Sequence, residues 1–299
     1  MKYLIFGVNG MAGHTIALYL KEQGHKVIGF AKTKSLICQT IIGDAFNNED
    51  VKSALESDKF DIVINCIGVL NKEVDTDMAA GIYLNSVFPH LLAKLLKIKT
   101  TKLIHISTDC VFQGNKGRYA ENSIPDAESA YGRSKALGEV IDSKNLTLRT
   151  SIVGPELKEN GIGLFRWFMN QTEPVKGYNK VIWTGVTTLE LAKAIEKAAF
   201  QNVTGLYHLV NNRTISKYNL LRLFNKYCRC KKIAIQKDDI ISSDKSLVNT
   251  RTDFDFTIPG YEQMILEMDE WIHLHKELYP RYLYDKKEAI DTTRLLFYK

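Results

Sequence analysis

Three evenly spaced glycines near the start of the chain restrict its fold more than any other sequence feature. They follow the apolar residues 3–6 and lead into residues 11–23, where apolar side chains recur with a helical period. Glycine is needed where a chain turns tightly, where its backbone approaches a pyrophosphate, and where helix and strand pack closely. The helix N-terminus attracts phosphates with its free N–H groups. The pattern predicts a nucleotide-binding turn, although the Gly-x-x-Gly-x-x-Gly spacing is not the commonest one and a plain tight turn is the alternative. The expected cofactor contacts in this turn are Gly7, Asn9, Gly10, Met11 and Gly13.

Short apolar runs alternate with amphipathic segments through the first half of the chain, which is typical of βαβ units around a parallel sheet. The predicted strands are residues 3–6, 26–30, 40–44, 61–66, 102–107 and 146–149. The predicted helices are residues 11–23, a helix starting at 51–55, and residues 84–96 and 131–142. We therefore expect an α/β fold with a Rossmann-type, doubly wound parallel sheet in residues 1–154.

The rhythm of the sequence changes after Gly154, where prolines and glycines become frequent. The predicted elements of this part are strands at 206–210 and 233–236 and helices at 188–200, 218–227 and 261–277. We expect residues 155–278 to form mainly a second, smaller α/β domain, with a segment near 184–200 returning to the first. Residues 279–299 form a polar and aromatic tail, to which the pattern assigns no role.

The composition argues against several classes of protein. The chain is 45% apolar and 25% charged, as globular proteins are, and its net charge of +6 is spread without a basic stripe interleaved with aromatic residues. We therefore expect anionic small-molecule ligands and no nucleic acid. No run approaches the ~18 apolar residues of a membrane span, and residues 1–6 are a strand rather than a signal peptide. Five scattered cysteines, of which Cys228 and Cys230 are too close for a usual zinc site, predict a cytoplasmic protein without metal.

The segment after the second predicted strand bears on the choice of cofactor. NAD enzymes usually carry an acidic residue there for the ribose 2′-hydroxyl, whereas this chain has Lys32 and Lys34 and no carboxylate. We therefore expect NADPH as the cofactor, with NADH as the alternative. The other interpretation of the two lysines is that they are solvated surface residues without a role in cofactor binding. Asp44 is placed to contact the adenine amino group, although it is also an ordinary turn residue. Cys66 and Gly68, which follow a later strand, are further candidate cofactor contacts.

Tyr131 and Lys135 are four residues apart on a predicted helix, so that both side chains lie on one face. A nearby ammonium lowers the pKa of a tyrosine and lets it exchange a proton with a substrate oxygen. Such a pair is common by chance. Thr108 and Asp109 strengthen it, because they stand at the end of a parallel strand, where ligands bind in open sheets. Thr108 is then expected to hydrogen-bond the same substrate oxygen.

These motifs resemble those of the extended short-chain dehydrogenase/reductases, and most closely of the dTDP-4-dehydrorhamnose reductases and related sugar-nucleotide reductases. The resemblance covers residues 1 to about 278 and is strongest in the first 155. It rests on the glycine turn and on Ser107-Thr108-Asp109-Cys110-Val111-Phe112-x-Gly114, Tyr131-Gly132-Arg133-Ser134-Lys135 with Leu137-Gly138-Glu139, and Leu148-Arg149-Thr150-Ser151.

The resemblance implies a catalytic set of Thr108, Tyr131 and Lys135, with Asp109 near the sugar, and a second domain that binds a nucleotide-sugar substrate. The implied reaction is reduction of a 4-keto-6-deoxy sugar by NADPH, with Tyr131 as the proton donor. Asn85 is a candidate for a water relay or a plain polar helix residue. The candidate substrate contacts are Asp109, Val111, Phe112, Trp183 and Arg251. A homodimer is compatible with the sequence, which does not define the oligomeric state.

Departures from the family pattern leave the sugar and the nucleotide open. Cys110 replaces a frequent aromatic residue, Ile152 follows Ser151 where rhamnose enzymes carry tryptophan, and residues 165–168 and 182–187 are similar to reductases of UDP-linked N-acetylated sugars. A dehydratase would need a glutamate at Cys110. A combined epimerase/reductase would need a histidine about forty residues past Tyr131, whereas no histidine lies between His105 and His208. The pattern therefore favours Cys110 as a small packing residue over Cys110 as a base for epimerisation. The remaining alternative is a non-catalytic NADP-binding regulator, as the β subunit of methionine adenosyltransferase is in this superfamily.

Overall fold

The computed structural model describes residues 1–283 and contains one large parallel sheet. Its strands come from the apolar runs of the first half of the chain and from one later segment. The strands of the described chain are β1 (Lys2–Phe6), β2 (Lys26–Ala31), β3 (Gln39–Ile42), β4 (Ile62–Asn65), β5 (Lys102–Ser107), β6 (Leu146–Arg149), β7 (Ile152–Val153), β8 (Val175–Trp183), β9 (Val186–Thr187), β10 (Gly205–His208), β11 (Ile215–Ser216) and β12 (Ile235–Asp244). Seven of them form the large sheet in the order β3-β2-β1-β4-β5-β6-β10, and every neighbouring pair is parallel.

Helices cover both faces of this sheet because its central strands β1, β4, β5 and β6 are buried on both sides. The α-helices of the described chain are α1 (Met11–Glu22), α2 (Asn48–Glu56), α3 (Asn71–Thr76), α4 (Met78–Ile82), α5 (Phe88–Leu95), α6 (Ala130–Leu137), α7 (Leu164–Met169), α8 (Thr188–Phe200), α9 (Lys217–Tyr227) and α10 (Tyr261–Leu274). Residues of α1 and α8 pack in one core with the sheet, and residues of α2 and α5 pack in another. The α/β doubly wound fold is therefore confirmed.

The smaller part of the molecule is built on two short sheets. One has the order β11-β8-β12, with β11 antiparallel and β12 parallel to β8, and the other pairs β7 with β9. Helix α9 packs on β8, and α10 packs on α9. These elements continue the core around α1 and α8, so that the second part lies against the carboxyl end of the large sheet through β7 and β9.

Several predicted boundaries are wrong for physical reasons. The strand predicted at 206–210 within the second domain is β10, the edge of the large sheet, paired with β6. The helix predicted to run to 142 ends at Leu137, where Gly138 approaches Asn85 so closely that a Cβ would lie 1.8 Å from its carbonyl oxygen. The helix predicted at 84–96 opens as a π-helix (Tyr83–Val87) before α5.

The start of the predicted tail is packed into the protein. Tyr279 and Tyr282 are 1% and 3% exposed, and the Tyr279 hydroxyl lies 2.9 Å from Nε2 of the buried His14 in α1. Burial lowers the pKa of His14 to about 4, so the ring is neutral. The remainder of that prediction, residues 284–299, lies outside the described residues.

Candidate active site

The glycine turn has the geometry that the sequence predicts. Gly7 follows β1 with a φ of +79°, a conformation in which glycine avoids the strain of a side chain, and its N–H donates to the Phe30 carbonyl over 3.0 Å. A Cβ on Gly13 would lie 2.2 Å from the Gly7 carbonyl oxygen. The turn therefore packs α1 directly against the end of β1 and excludes side chains from both positions.

The first turn of α1 offers N–H groups to a ligand. Its N-cap is Gly10, which has no side chain to cap the helix, so that the donors of the first turn are left to an external acceptor. Met11 lies at the first helical position. Asn9 donates from Nδ2 to the Thr33 carbonyl over 2.9 Å and so ties the turn to the segment after β2. The residues present fit the pyrophosphate of a dinucleotide.

Lys32 and Asp44 lie beside each other at the edge of this turn. Lys32 Nζ is 3.0 Å from Asp44 Oδ2, and the lysine side chain is 70% exposed. The sequence analysis assigned them to different parts of the cofactor, the 2′-phosphate and the adenine. In the structure the carboxylate is the ion-pair partner of the cation, so that a phosphate at Lys32 would compete with Asp44.

The predicted catalytic residues come together where α6 packs closely against the 3₁₀ turn that follows β5, a contact named here the catalytic crossing. Thr108 follows β5 and caps a 3₁₀ turn (Asp109–Val111), while Ser129 caps α6 by accepting a hydrogen bond from the Gly132 N–H over 3.1 Å. A Cβ on Gly132 would lie 2.2 Å from the Cys110 carbonyl oxygen. Only glycine permits this approach of α6 to the 3₁₀ turn, and it places Tyr131 against Thr108.

Tyr131 and Lys135 are both buried at this crossing. Lys135 Nζ donates to the Ile106 carbonyl over 2.8 Å, and burial lowers the pKa of Lys135 to about 8. Burial also raises the pKa of Tyr131; the neighbouring Cys110 adds to the rise, and a hydrogen bond with Thr108 opposes it. The expected lowering of the tyrosine pKa by Lys135 is therefore wrong for this state of the protein. Tyr131 is held in its protonated form, as a proton donor must be.

Asp109 is buried beside the catalytic threonine. Thr108 Oγ1 donates to Asp109 Oδ1 over 3.1 Å, and burial raises the pKa of this carboxyl, while Lys245 and Lys217 oppose the rise. These two lysines come from the end of β12 and the start of α9. The sequence analysis missed them, because neither belongs to a motif and only folding brings them to Asp109.

Cys110 has the environment of a packing residue. Burial and the neighbouring Asp109 raise the pKa of its thiol to about 11, so that it carries no thiolate at neutral pH. This agrees with the interpretation of Cys110 as a small side chain rather than a base for epimerisation.

Asn85 clamps the loop after β4 to α6. Its Oδ1 accepts from the Val69 N–H over 3.0 Å, and its Nδ2 donates to the Val69 carbonyl and to Ser134 Oγ over 3.0 and 3.1 Å. The amide is thus engaged by protein partners, which favours the structural interpretation over a water relay. A Cβ on Gly68 would lie 3.3 Å from Asn85 Oδ1 and 3.9 Å from Lys135 Nζ.

The loop after β4 therefore runs beside the catalytic lysine. Cys66 lies within electrostatic reach of Lys135, and burial raises the pKa of its thiol to about 12. The structure brings Cys66 and Gly68 to Lys135, as expected for residues at the carboxyl end of a parallel strand.

Four of the predicted substrate contacts have structural partners instead. Val111 and Phe112 are completely buried, and Phe112 stacks on Tyr119 with ring centroids 4.0 Å apart. Trp183 is 5% exposed and donates from Nε1 to Ser151 Oγ over 2.8 Å. Arg251 binds Asp253 and the carbonyls of Thr204 and Leu206 at the amino end of β10. The catalytic residues lie at the other end of the parallel strands, after the carboxyl end of β5. The structure therefore does not bring Arg251 to the catalytic residues.

In residues 1–283 no group of three His, Cys, Asp or Glu side chains is arranged to hold a metal ion. No helix in that range has both the length and the apolar character that crossing a membrane requires.

A protonated tyrosine and a lysine on one helix, a hydroxyl at a strand end and a glycine-rich turn on the same sheet edge define an oxidoreductase of the short-chain dehydrogenase/reductase type. A family model described as "RmlD substrate binding domain" matches residues 1–250. The chain belongs to this family, which places it among the sugar-nucleotide reductases.

Individual relatives include a reductase of glycan synthesis and a subunit of a different enzyme. The probable low-salt glycan biosynthesis reductase Agl14 of Haloferax volcanii is 28% identical over 240 residues, 72% of this chain and 76% of the relative. Methionine adenosyltransferase 2 subunit beta of Xenopus laevis is 25% identical over 234 residues, 73% of this chain and 69% of the relative. The structure of a dTDP-4-dehydrorhamnose reductase from Bacillus anthracis in complex with NADP shares the fold, with a TM-score of 0.76 and 20% identity over 90% of this chain and 99% of that one.

Proposed function

We propose that the protein reduces the 4-keto group of a nucleotide-linked 4-keto-6-deoxy sugar with NADPH, in the synthesis of a glycan or polysaccharide precursor. The observation that carries this proposal is the buried set of Thr108, Tyr131 and Lys135 beside the glycine turn. Similarity to a glycan biosynthesis reductase supports the role in glycan synthesis. The sugar is linked to dTDP or UDP, and the two are compared in the assay below.

The side chains of the site divide the reaction between them. The nicotinamide supplies a hydride to the carbonyl carbon when it is bound. Tyr131, which burial keeps protonated, donates its phenolic proton to the carbonyl oxygen. Thr108 orients that oxygen through its hydroxyl, and Lys135 holds the cofactor ribose.

Lys217 and Lys245 are proposed contacts of the substrate diphosphate. Both are half-buried and act electrostatically on Asp109, which is next to the catalytic threonine. The two positive charges of these lysines outnumber the single negative charge of Asp109. The diphosphate of a nucleotide sugar is an anion that can bind the remaining positive charge. Asp109 is then left to accept hydrogen bonds from sugar hydroxyls.

The preference for NADPH over NADH rests on the segment after β2. Lys32 is exposed, Lys34 follows it, and the described contacts there include no carboxylate from β2 itself. The ion pair of Lys32 with Asp44 is exposed and therefore weak, so that a 2′-phosphate can displace the carboxylate. We propose a moderate preference for NADPH rather than a strict one.

Similarity to a methionine adenosyltransferase β subunit supports a second candidate, a cofactor-binding regulator that turns over no sugar. The test measures the rate of NADPH oxidation with 4-keto-6-deoxy sugars linked to dTDP or to UDP as substrates. The affinity of the protein for NADPH is measured in parallel. Turnover with either substrate supports the reductase. Tight NADPH binding without turnover on both would contradict it and favour the regulator.

Two expectations from the sequence remain proposals. Dispersed cysteines in odd number support a reducing compartment, such as the cytoplasm. A homodimer through the face of α5 and α6 is supported by the exposed apolar side chains of Val87 and Leu137. Sedimentation of the purified protein measures the second directly, and a monomer at micromolar concentration would contradict it.

A further inference from the structure

A buried ion pair lies directly behind the catalytic residues. Arg149, at the end of β6, donates from Nε to Glu139 Oε1 over 2.8 Å and from Nη2 to Glu139 Oε2 over 2.5 Å. Both side chains are 2% exposed. Two parallel hydrogen bonds fix the carboxylate in position as well as in charge, which a single bond would not do.

Three consecutive residues at the end of β5 each bind one residue of the catalytic helix and its extension. The Ile106 carbonyl accepts the Lys135 ammonium over 2.8 Å. Ser107 Oγ donates to Glu139 Oε1 over 2.6 Å, and Thr108 is hydrogen-bonded with Tyr131. Glu139 is thus the last of three residues, after Tyr131 and Lys135, that hydrogen bonds connect to the end of β5.

We propose that Glu139, fixed by Arg149 and Ser107, is a positioning residue that acts on Lys135 through its negative charge. The role in turnover rests on the proposed function, whereas the effect on Lys135 does not. Glu139 touches neither the reacting atoms nor the expected cofactor position, and it acts through the lysine.

The charges around Lys135 support this role. Burial lowers the pKa of Lys135 to about 8, and of the two groups that oppose this, Glu139 has the larger effect and Cys66, after β4, the smaller. His105 on β5 faces the same lysine, but burial and Lys135 hold its pKa well below the usual value, so it adds no charge. Tyr131, on the same helix as Lys135, is protonated, and the charge of Arg149 on β6 is compensated by Glu139.

A purely structural role of the ion pair makes a different prediction. Removing one partner of a buried pair destabilises most proteins, whatever lies nearby. Lower stability of a Glu139 variant therefore does not support the proposal, and the readout has to be the protonation of Lys135 itself.

The experiment is a pH titration of the full chain labelled with [ε-¹³C]lysine, followed by NMR without substrate. The Lys135 signal is assigned by its loss in Lys135→Arg. In Glu139→Gln we expect the midpoint of Lys135 to fall by about one pH unit, because the nearby opposite charge is lost. The fall of kcat on the alkaline side of the pH profile is expected to move with it.

The matched control is Glu190→Gln. Glu190 is also a buried glutamate in an ion pair, with Lys193 Nζ at 3.2 Å, but it lies on α8 across the sheet. This variant is expected to leave the Lys135 midpoint unchanged. An unchanged midpoint in folded Glu139→Gln, or an equal fall in both variants, would overturn the proposal.

Glu139→Asp decides the question if Glu139→Gln does not fold. It keeps the charge but withdraws the carboxylate by one methylene, so that a smaller fall of the midpoint is expected, and no fall contradicts the proposal. Since the titration needs no turnover, a wild-type protein that reduces no sugar nucleotide would contradict the proposed function and leave this result standing.

Discussion

The glycine turn and the catalytic crossing lie on the same edge of one sheet, but they are encoded in different ways. The turn is made by seven consecutive residues, and its decisive contact, between Gly13 and Gly7, is local. The crossing is assembled from the end of β5, from α6 and from lysines of α9 and β12. The turn can therefore be recognised in the sequence, whereas the crossing exists only after folding.

The two regions also use burial differently. The turn keeps its backbone donors free for a ligand, so its chemistry is fixed by geometry. At the crossing, burial moves the pKa of both Tyr131 and Lys135 and so sets which proton is available. Changes at the turn should therefore affect cofactor binding, and changes at the crossing should affect turnover.

The largest effect is expected for Tyr131→Phe, which removes the proton donor. The turnover number should fall by roughly 10²- to 10⁴-fold, the usual contribution of a general acid, while the Kd for NADPH stays within about twofold. Steady-state rates and a fluorescence titration measure the two. Tyr207→Phe, in β10, is the matched control and should retain the wild-type rate. A Tyr131→Phe variant with near-normal turnover would rule out this tyrosine as the donor.

The second effect separates the turn from the crossing. In Gly13→Ala the new methyl group would lie 2.2 Å from the Gly7 carbonyl oxygen, so the turn has to shift. Overpacking of this kind costs about 1–3 kcal/mol, and we expect the Kd for NADPH to rise by roughly ten- to a hundredfold.

Gly24→Ala is the control for this change. Gly24, unlike Gly13, has a positive φ of +79°, but a Cβ there meets no atom within 4 Å. It should lower stability by about 1–2 kcal/mol and leave cofactor affinity unchanged. Equal affinities for NADPH in the two variants would show that the turn does not hold the cofactor.

A third, smaller effect tests the lysines beside Asp109. Lys217→Met and Lys245→Met should each raise KM for the sugar nucleotide about tenfold, since a hydrogen bond to a charged group contributes about 1.5–3 kcal/mol. The turnover number should change much less. Lys237→Met, at an exposed position of β12, serves as the control. If KM is unaffected in both variants, the diphosphate binds elsewhere.

The smallest effect is expected at the cofactor's 2′-phosphate. Lys32→Ala should reduce the preference for NADPH over NADH by about two- to fivefold, as expected for an exposed charge pair. The ratio of kcat/KM with the two cofactors measures it, and Lys26→Ala, at the start of the same strand, is the control. An unchanged ratio would exclude Lys32 from the recognition of the phosphate.

Much of the fold could be predicted because the strands of a parallel sheet are apolar on both faces. β5 and β6 have the predicted bounds, and α8 does as well. β10 was assigned to the wrong domain, since a short apolar run does not tell which sheet it joins. The early end of α6 depends on the approach of Gly138 to the Asn85 carbonyl, a contact that the sequence does not display.

The site could be predicted only where its residues form motifs. Thr108, Tyr131 and Lys135 were found by their spacing, but the direction of the Tyr131 pKa was not, because it is set by burial. Trp183 and Arg251 were chosen for their chemistry alone, and in the structure both are engaged elsewhere. Lys217 and Lys245 stand in no pattern.

The hydrogen bond between Tyr279 and His14 connects the end of the described chain to the glycine turn. His14 Nδ1 lies 2.8 Å from the Gly10 carbonyl, and its Nε2 depends on the Tyr279 hydroxyl. A chain shortened before residue 279 would leave this ring nitrogen, one residue after Gly13, with only the longer contact of 3.4 Å to the Thr15 hydroxyl. Such a truncation would weaken dinucleotide affinity through its effect on His14, and a bound dinucleotide would in turn protect the segment around Tyr279 from proteolysis.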